Sequence, residues 1–233
     1  MIADLRRERK PHRALRVDSD GAVVLRYRRT ARTITFDGTP ERLIMAESRP
    51  LSIPVILGTV RKGRMSAHAA RFVLEEVRRR EGVVTELIDV GSLSLPLDDA
   101  GQAIKQPGVS DTLARADALV IVSPEYNHSF PGLLKHALDG YLKEYVHKAV
   151  GVVGVSAGPF GGTRVIENLL PVFRELGLVT IFWDVNVGTV SKVFDENGRL
   201  LDPALVRRTD KFLDELVWMA RTLRWGRDNL PIR

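Results

Sequence analysis

The sequence predicts an α/β fold: a doubly wound, five-stranded parallel sheet with helices on both faces. Two observations carry this. Five short apolar runs alternate with helical patterns from residue 51 onward, and a strand–helix alternation of this kind builds a parallel sheet covered on both sides. The runs Ala118 to Val122 and Ala149 to Val155 are wholly apolar, as strands buried on both faces require.

Each element has a local reason. Ile53 to Leu57 is an apolar run that stops at Gly58. Ser66 is placed to cap a helix reaching about Arg80, with Ala69, Ala70, Phe72, Val73 and Val77 on one side. Gly82 ends it, and Val83 to Val90 reads as a strand. A loop with Pro96 and Pro107 leads to a short helix near 111–116 and then to the strand Ala118–Val122. Pro131 suits the first turn of the next helix, because its missing N–H has no partner to lose there. Ala149 to Val155 is followed by a helix over about 163–176 and the strand Val179–Val185. The last helix spans about 203–223, with Leu205, Phe212, Leu213, Leu216, Val217 and Ala220 at helical spacing.

Composition narrows the function. The chain has 233 residues and no cysteine, which excludes disulfides, thiolate nucleophiles and cysteine-ligated metals. No apolar run approaches the roughly 20 residues of a membrane span, and the first ten residues lack the apolar stretch of a secretory signal. A cytoplasmic location is expected. The net charge is +6, yet residues 1–44 carry +5 of it and residues 45–233 only +1. A polyanion partner is therefore not expected for the main domain. Residues 1–44 read as a basic, flexible extension or as a translated leader upstream of a start at Met45; an RNA- or membrane-binding arm is the third reading. Stretches 22–25 and 33–36 alternate well enough to pair as a hairpin. The main domain is expected over 51–225.

In such folds ligands sit beyond the carboxyl ends of the strands, which singles out three loops. The first, Gly58 to Ser66, offers helix-start amides, the hydroxyls of Thr59 and Ser66 and the guanidinium groups of Arg61 and Arg64, a set suited to a phosphate dianion. It is neither a Walker A loop, since Arg64 holds the Lys position and Ser66 falls one residue late, nor a G-x-G-x-x-G turn. A polar turn with solvent-facing arginines is the alternative. The second, Ser123 to Gly132, is stiffened by two prolines and joins Tyr126 to free amides, which suits a flat heteroaromatic ring. The third, Ser156 to Arg164, is glycine-rich and opens a helix, so it too suits electron-rich ligand atoms.

The segment Ser123-Pro124-Glu125-Tyr126-Asn127-His128-Ser129-Phe130-Pro131-Gly132, continuing through Leu134-Lys135 to Ala137-Leu138-Asp139, resembles the S-P-E-Y-N-x-S-x-P-G-x-L-K-N-A-L-D motif of the NADPH-dependent FMN reductase family, the flavodoxin-like quinone, azo and chromate reductases. Gly58, Thr59, Arg61 and Ser66 resemble its phosphate loop, and Ser156, Gly158, Gly161, Gly162 and Arg164 its later S-x-G-x-x-G-G-x-R segment. The resemblance covers about residues 52–190. His136, in place of Asn, and Gly140-Tyr141, where Trp is common, depart from the pattern.

The resemblance implies a flavodoxin-like strand order of 2-1-3-4-5 and an FMN cofactor reduced by NADPH or NADH. It also implies a ping-pong oxidoreductase acting on quinone, azo, metal-oxyanion or flavin acceptors. Thr59, Arg61, Arg64 and Ser66 would hold the phosphate. Pro124, Glu125, Tyr126 and Asn127 would lie along the isoalloxazine ring, Ser156 and Gly158 would contact its pyrimidine edge, and Gly161 would also bind the cofactor. No catalytic side chain and no metal are implied, and a homodimer or homotetramer is. An FMN-binding electron carrier and a flavin-dependent regulatory module are the alternatives; the near-neutral main domain argues against an acidic carrier. His68 and His136 read as packing or surface residues, His128 as an acceptor-facing or plain surface residue, and Trp183 and Trp218 as core or subunit contacts.

Overall fold

A computed structural model of the chain describes residues 49–96 and 105–230, together with the backbone of three strands nearer the N-terminus. Met1–Arg49 and Pro50–Arg233 are separate compact units. In the first, β1 (Ala14–Val17), β2 (Val23–Arg26) and β3 (Ile34–Phe36) form an antiparallel meander. The expected hairpin is present, with Val23 opposite Phe36 and Leu25 opposite Ile34. The reading of this region as flexible concerns residues that lie mostly outside those described.

The second unit runs through β4 (Leu51–Ser52), β5 (Val55–Leu57), α1 (Ser66–Arg78), β6 (Val83–Val84), β7 (Leu87–Asp89), α2 (Pro107–Arg115), β8 (Ala118–Pro124), α3 (Gly132–Asp139), β9 (Ala149–Val155), α4 (Thr163–Glu175), β10 (Val179–Thr180), β11 (Val185–Val187), α5 (Val190–Val193) and α6 (Ala204–Asn229). The main sheet is parallel in the order β7-β5-β8-β9-β10, and β11 also pairs with β9. β4 pairs with β6 below the β5–β7 pair, and the ladder continues past Pro54 through Ile53 N to Val84 O at 2.9 Å. Counting each split strand once, the order is 2-1-3-4-5.

Strict alternation along β8 divides the core. Ala118, Val120 and Val122 pack with α1 and α6, whereas Leu119 and Ile121 pack with Leu134, Leu138, Val165 and Phe173 on the opposite face. Each buried Val, Leu, Ile or Phe among these contributes roughly 2 kcal/mol of apolar transfer free energy. At the amino end of the sheet the fully buried Asp117 accepts from Ser52 N and Arg227, tying α6 to the strands. The polar groups at this end serve structure and leave the carboxyl end for a ligand.

Four expectations need correction. Ser66 is not the helix cap: Met65 occupies that position without a side-chain hydrogen bond, and Ser66 is the first helical residue. The fifth strand is broken. Thr180 faces Val150 and Val185 faces Val153, so the four residues 181–184 stand opposite two. The ring of Phe212 covers Gly151 in this gap, leaving no room for a Cβ there. The bulge amides of Phe182 and Trp183 donate to the Glu215 carboxylate at 3.0 and 3.2 Å. Phe182 and Trp183 are consequently exposed, as is Trp218 on α6, which removes the core reading of both tryptophans. The last helix also runs six residues beyond the expected Leu223.

Candidate functional site

The three loops emerge together at the carboxyl ends of β5, β8 and β9. Loop 1 follows β5, where Gly58 N bonds Val122 O and then leaves the sheet. Among the described residues, no acceptor takes the backbone N–H of residues 60–63. Beside them the Ser66 hydroxyl is buried and has no partner. An orphaned buried hydroxyl costs of order 1–3 kcal/mol. Here it lies at the start of a 13-residue helix that has no side-chain cap, where partial positive charge collects. The donor set fits a phosphate group.

Thr59 is buried and its Oγ1 lies 3.0 Å from the Tyr126 hydroxyl, which joins loop 1 to loop 2. The Arg61 guanidinium sits over the Tyr126 ring, 4.0 Å from its centroid. Arg64 is differently used. It donates to Thr59 O and to the Asp89 carboxylate at the end of β7, and Asp89 in turn accepts from Gly91 N at 2.8 Å. Arg64 thus braces the loop from behind, while Arg61 is the exposed cation of the predicted pair.

Loop 2 owes its shape to backbone geometry more than to its prolines. Glu125 N extends the β8–β9 ladder by bonding Val155 O. Tyr126 and Ser129 then exchange N–H···O bonds of 2.8 and 3.0 Å, with Asn127 at φ 49° and Asn127's neighbour His128 at φ 66°. Two left-handed central residues make a type I′ turn. Asn accepts this conformation readily, whereas His is strained in it by of order 1 kcal/mol. Asn168 of α4 secures the turn by donating to His128 O at 2.8 Å.

Loop 3 is a close-packed glycine arch. Ser156 Oγ donates to Gly158 O and accepts from Gly161 N, so this hydroxyl organises the loop itself. Gly162 caps α4 at φ 74°, and a Cβ there would lie 2.6 Å from Val155 N. The Asn186 amide donates to Gly161 O at 3.1 Å. The helix-start amide at Arg164, expected to face a ligand, is instead taken by Glu125: Arg164 N reaches Oε2 at 3.3 Å and its guanidinium reaches Oε1 at 3.0 Å. Glu125 therefore serves as a cap for α4 supplied from another loop and clasps loop 2 to loop 3.

Thr59, Arg61, Ser66, Tyr126 and Asn127 are gathered around loops 1 and 2, and Pro124 ends the strand that carries Glu125. Ser156, Gly158 and Gly161 lie in the adjoining arch. Asp89, Asn168 and Asn186 complete the frame and were not singled out from sequence. His136 bonds Pro96 O at 2.7 Å and His68 stacks near Phe194, so both are packing residues. A cleft of about 390 Å³ lined by His68, Phe72 and Phe194 lies on the flank of α1. It lies away from the three loops, and its carboxylates Glu75 and Glu76 are already paired with Arg78 and Arg79.

An unpartnered donor set suited to phosphate lies beside two hydrogen-bonded loops at the carboxyl edge of a doubly wound sheet. Residues 51–191 match the family model for NADPH-dependent FMN reductase, and the chain belongs to that family. It is an FMN-dependent enzyme using NAD(P)H. A quinone reductase of Pseudomonas putida is 29% identical over 180 residues, covering 71% of this chain and 94% of its own. A quinone reductase of Escherichia coli is 30% identical over 165 residues, covering 66% and 87%. Among solved structures, the flavoenzyme NAD(P)H:(acceptor) oxidoreductase FerB of Paracoccus denitrificans shares the fold at a TM-score of 0.60 and 21% identity, over 72% of this chain and 98% of its own.

Proposed function

We propose that the enzyme reduces quinones, with azo compounds, metal oxyanions and free flavin as further acceptors. Thr59, Arg61 and Ser66, with the open amides of residues 60–63, hold the FMN phosphate, and Arg64 positions this loop. Pro124, Tyr126, Asn127 and the backbone of Glu125 lie along the ring, while Ser156, Gly158 and Gly161 border its pyrimidine side. The orphaned Ser66 hydroxyl beside open amides carries this reading.

FMN held by these residues would supply the two-electron redox chemistry that links NAD(P)H to the acceptor. The protein's part is to bind and to orient. The I′ turn and the Glu125–Arg164 clasp fix the ring loops before any ligand arrives, which favours stacked flat partners over side-chain acid–base chemistry. The names of the relatives support quinone as the acceptor class. Exposed Phe182, Trp183 and Trp218 support a homo-oligomer. Among the described residues no helix is long and apolar enough to cross a membrane; work in the cytoplasm is part of the proposal. The family match begins at residue 51, which supports residues 1–44 being dispensable for turnover.

An anaerobic absorption spectrum of the FMN-loaded protein tests the reading. NADPH is expected to bleach the flavin band and a naphthoquinone to restore it. A band that NADPH leaves unchanged would favour an electron carrier or regulatory module.

A further inference from the structure

We propose that Phe160 is the residue that selects flat, uncharged quinoid acceptors, an inference that rests on the flavin reading above. Phe160 lies in loop 3 with its side chain largely in water, at 63% exposure. It is nevertheless held. Its carbonyl accepts from Thr163 N at 3.3 Å and Thr163 Oγ1 at 2.7 Å. The Arg164 guanidinium lies over the ring, 4.9 Å from its centroid. Arg164 is in turn fixed by Glu125, whose side chain is only 10% exposed. A chain of three side chains thus runs from the end of β8 to an exposed aromatic ring at the junction of the two ring loops.

A guanidinium backs a single face of the ring, so the other face stays open for stacking. The charge pattern decides what stacks there. The cation behind Phe160 is neutralised by Glu125, so the platform offers no net charge to the phosphates of a nicotinamide cofactor. An uncharged flat ring gains the full contact. Phe160 accordingly recognises the acceptor and leaves donor binding to other groups.

The test compares the FMN-loaded wild type with Phe160→Ala and Phe160→Trp. Binding of 2-methyl-1,4-naphthoquinone to the oxidised holoenzyme, without NADPH, is measured by calorimetry. Phe160→Ala is expected to raise Kd by about 10-fold, the scale of one lost aromatic stack, and Phe160→Trp to restore it. The KM for this quinone follows the same order. Rates with ferricyanide, which cannot stack, and the rate of flavin bleaching by NADPH stay unchanged. Equal quinone Kd values in wild type and Phe160→Ala overturn the proposal. So does slower bleaching by NADPH with quinone binding intact, which would make Phe160 a nicotinamide contact. An altered oligomeric state with unchanged quinone Kd would make it a subunit contact and overturns the proposal too. A wild type that retains no FMN is seen in its own spectrum, before any variant is made, and defeats the flavin reading itself.

Discussion

Ser66→Asp is expected to weaken FMN binding about a thousandfold while leaving riboflavin binding unchanged. Ser66 is buried at the first position of α1 with its hydroxyl unpartnered. A phosphate oxygen would supply that partner, and a hydrogen bond to a charged group contributes about 1.5–3 kcal/mol. The aspartate removes this donor and sets a like charge against the dianion, for a total near 4 kcal/mol. The helix dipole favours an acidic residue in the first turn, but burying the new carboxylate at this position costs stability, so the melting temperature of the apoprotein is expected to fall. Ser66→Ala should lose only about 10-fold to 100-fold. Flavin fluorescence quenching gives both constants. Riboflavin lacks the phosphate, so a parallel loss of riboflavin affinity would show that Ser66 acts on the loop's shape and not on the phosphate.

Gly162→Ala is expected to cost about 3–5 kcal/mol of stability, near 10 °C in Tm for a domain of this size. Two effects add. The residue sits at φ 74°, and its Cβ would run into one stretch of backbone: Val155 N at 2.6 Å and Gly154 C and Cα at 2.7 Å. Backbone cannot swing aside as a side chain does, so the arch must open and the start of α4 with it. Gly158 in the same loop is the control. A Cβ there meets nothing within 4 Å, so Gly158→Ala should keep the wild-type Tm and lower flavin affinity by crowding the ring edge. Scanning calorimetry with FMN titration separates the two. Similar Tm losses in both variants would mean that loop 3 is uniformly fragile and not held by its Gly154–Gly162 contact.

The parts of this molecule that are legible in sequence are those whose cause is local. β8 and β9 announce themselves because burial on both faces demands an unbroken apolar run. The ring loops announce themselves because they lie between such strands and helix starts. The break in the fifth strand does not, because its causes lie far along the chain: Phe212 over Gly151, and Glu215 accepting from two bulge amides. Trp183 reads as a core or subunit contact by its chemistry, and a bulge puts it at the surface, with Lys211 over its ring.

The site divides in the same way. A cationic loop is visible as composition, but the division of labour between Arg61 and Arg64 depends on Asp89, a residue 25 positions away from Arg64 that only the sheet order makes a neighbour. The type I′ turn is hidden because its usual Asn-Gly pair is here Asn127-His128. Glu125 reads as a polar ring contact until its carboxylate is seen to cap α4 through Arg164. Residue types point to the ligand's chemistry; which group touches it and which holds the frame is decided by tertiary partners.

Loop 1 is proposed to grip the FMN phosphate through Ser66 and the open amides of residues 60–63. A crystal structure of the protein grown with FMN tests it most directly. Phosphate oxygens are expected within hydrogen-bonding distance of Ser66 Oγ and at least two of those amides, with the flavin ring lying along Tyr126 and Asn127. Flavin bound elsewhere, such as in the cleft between His68 and Phe194, or a phosphate turned to solvent with Ser66 still unpartnered, would contradict it.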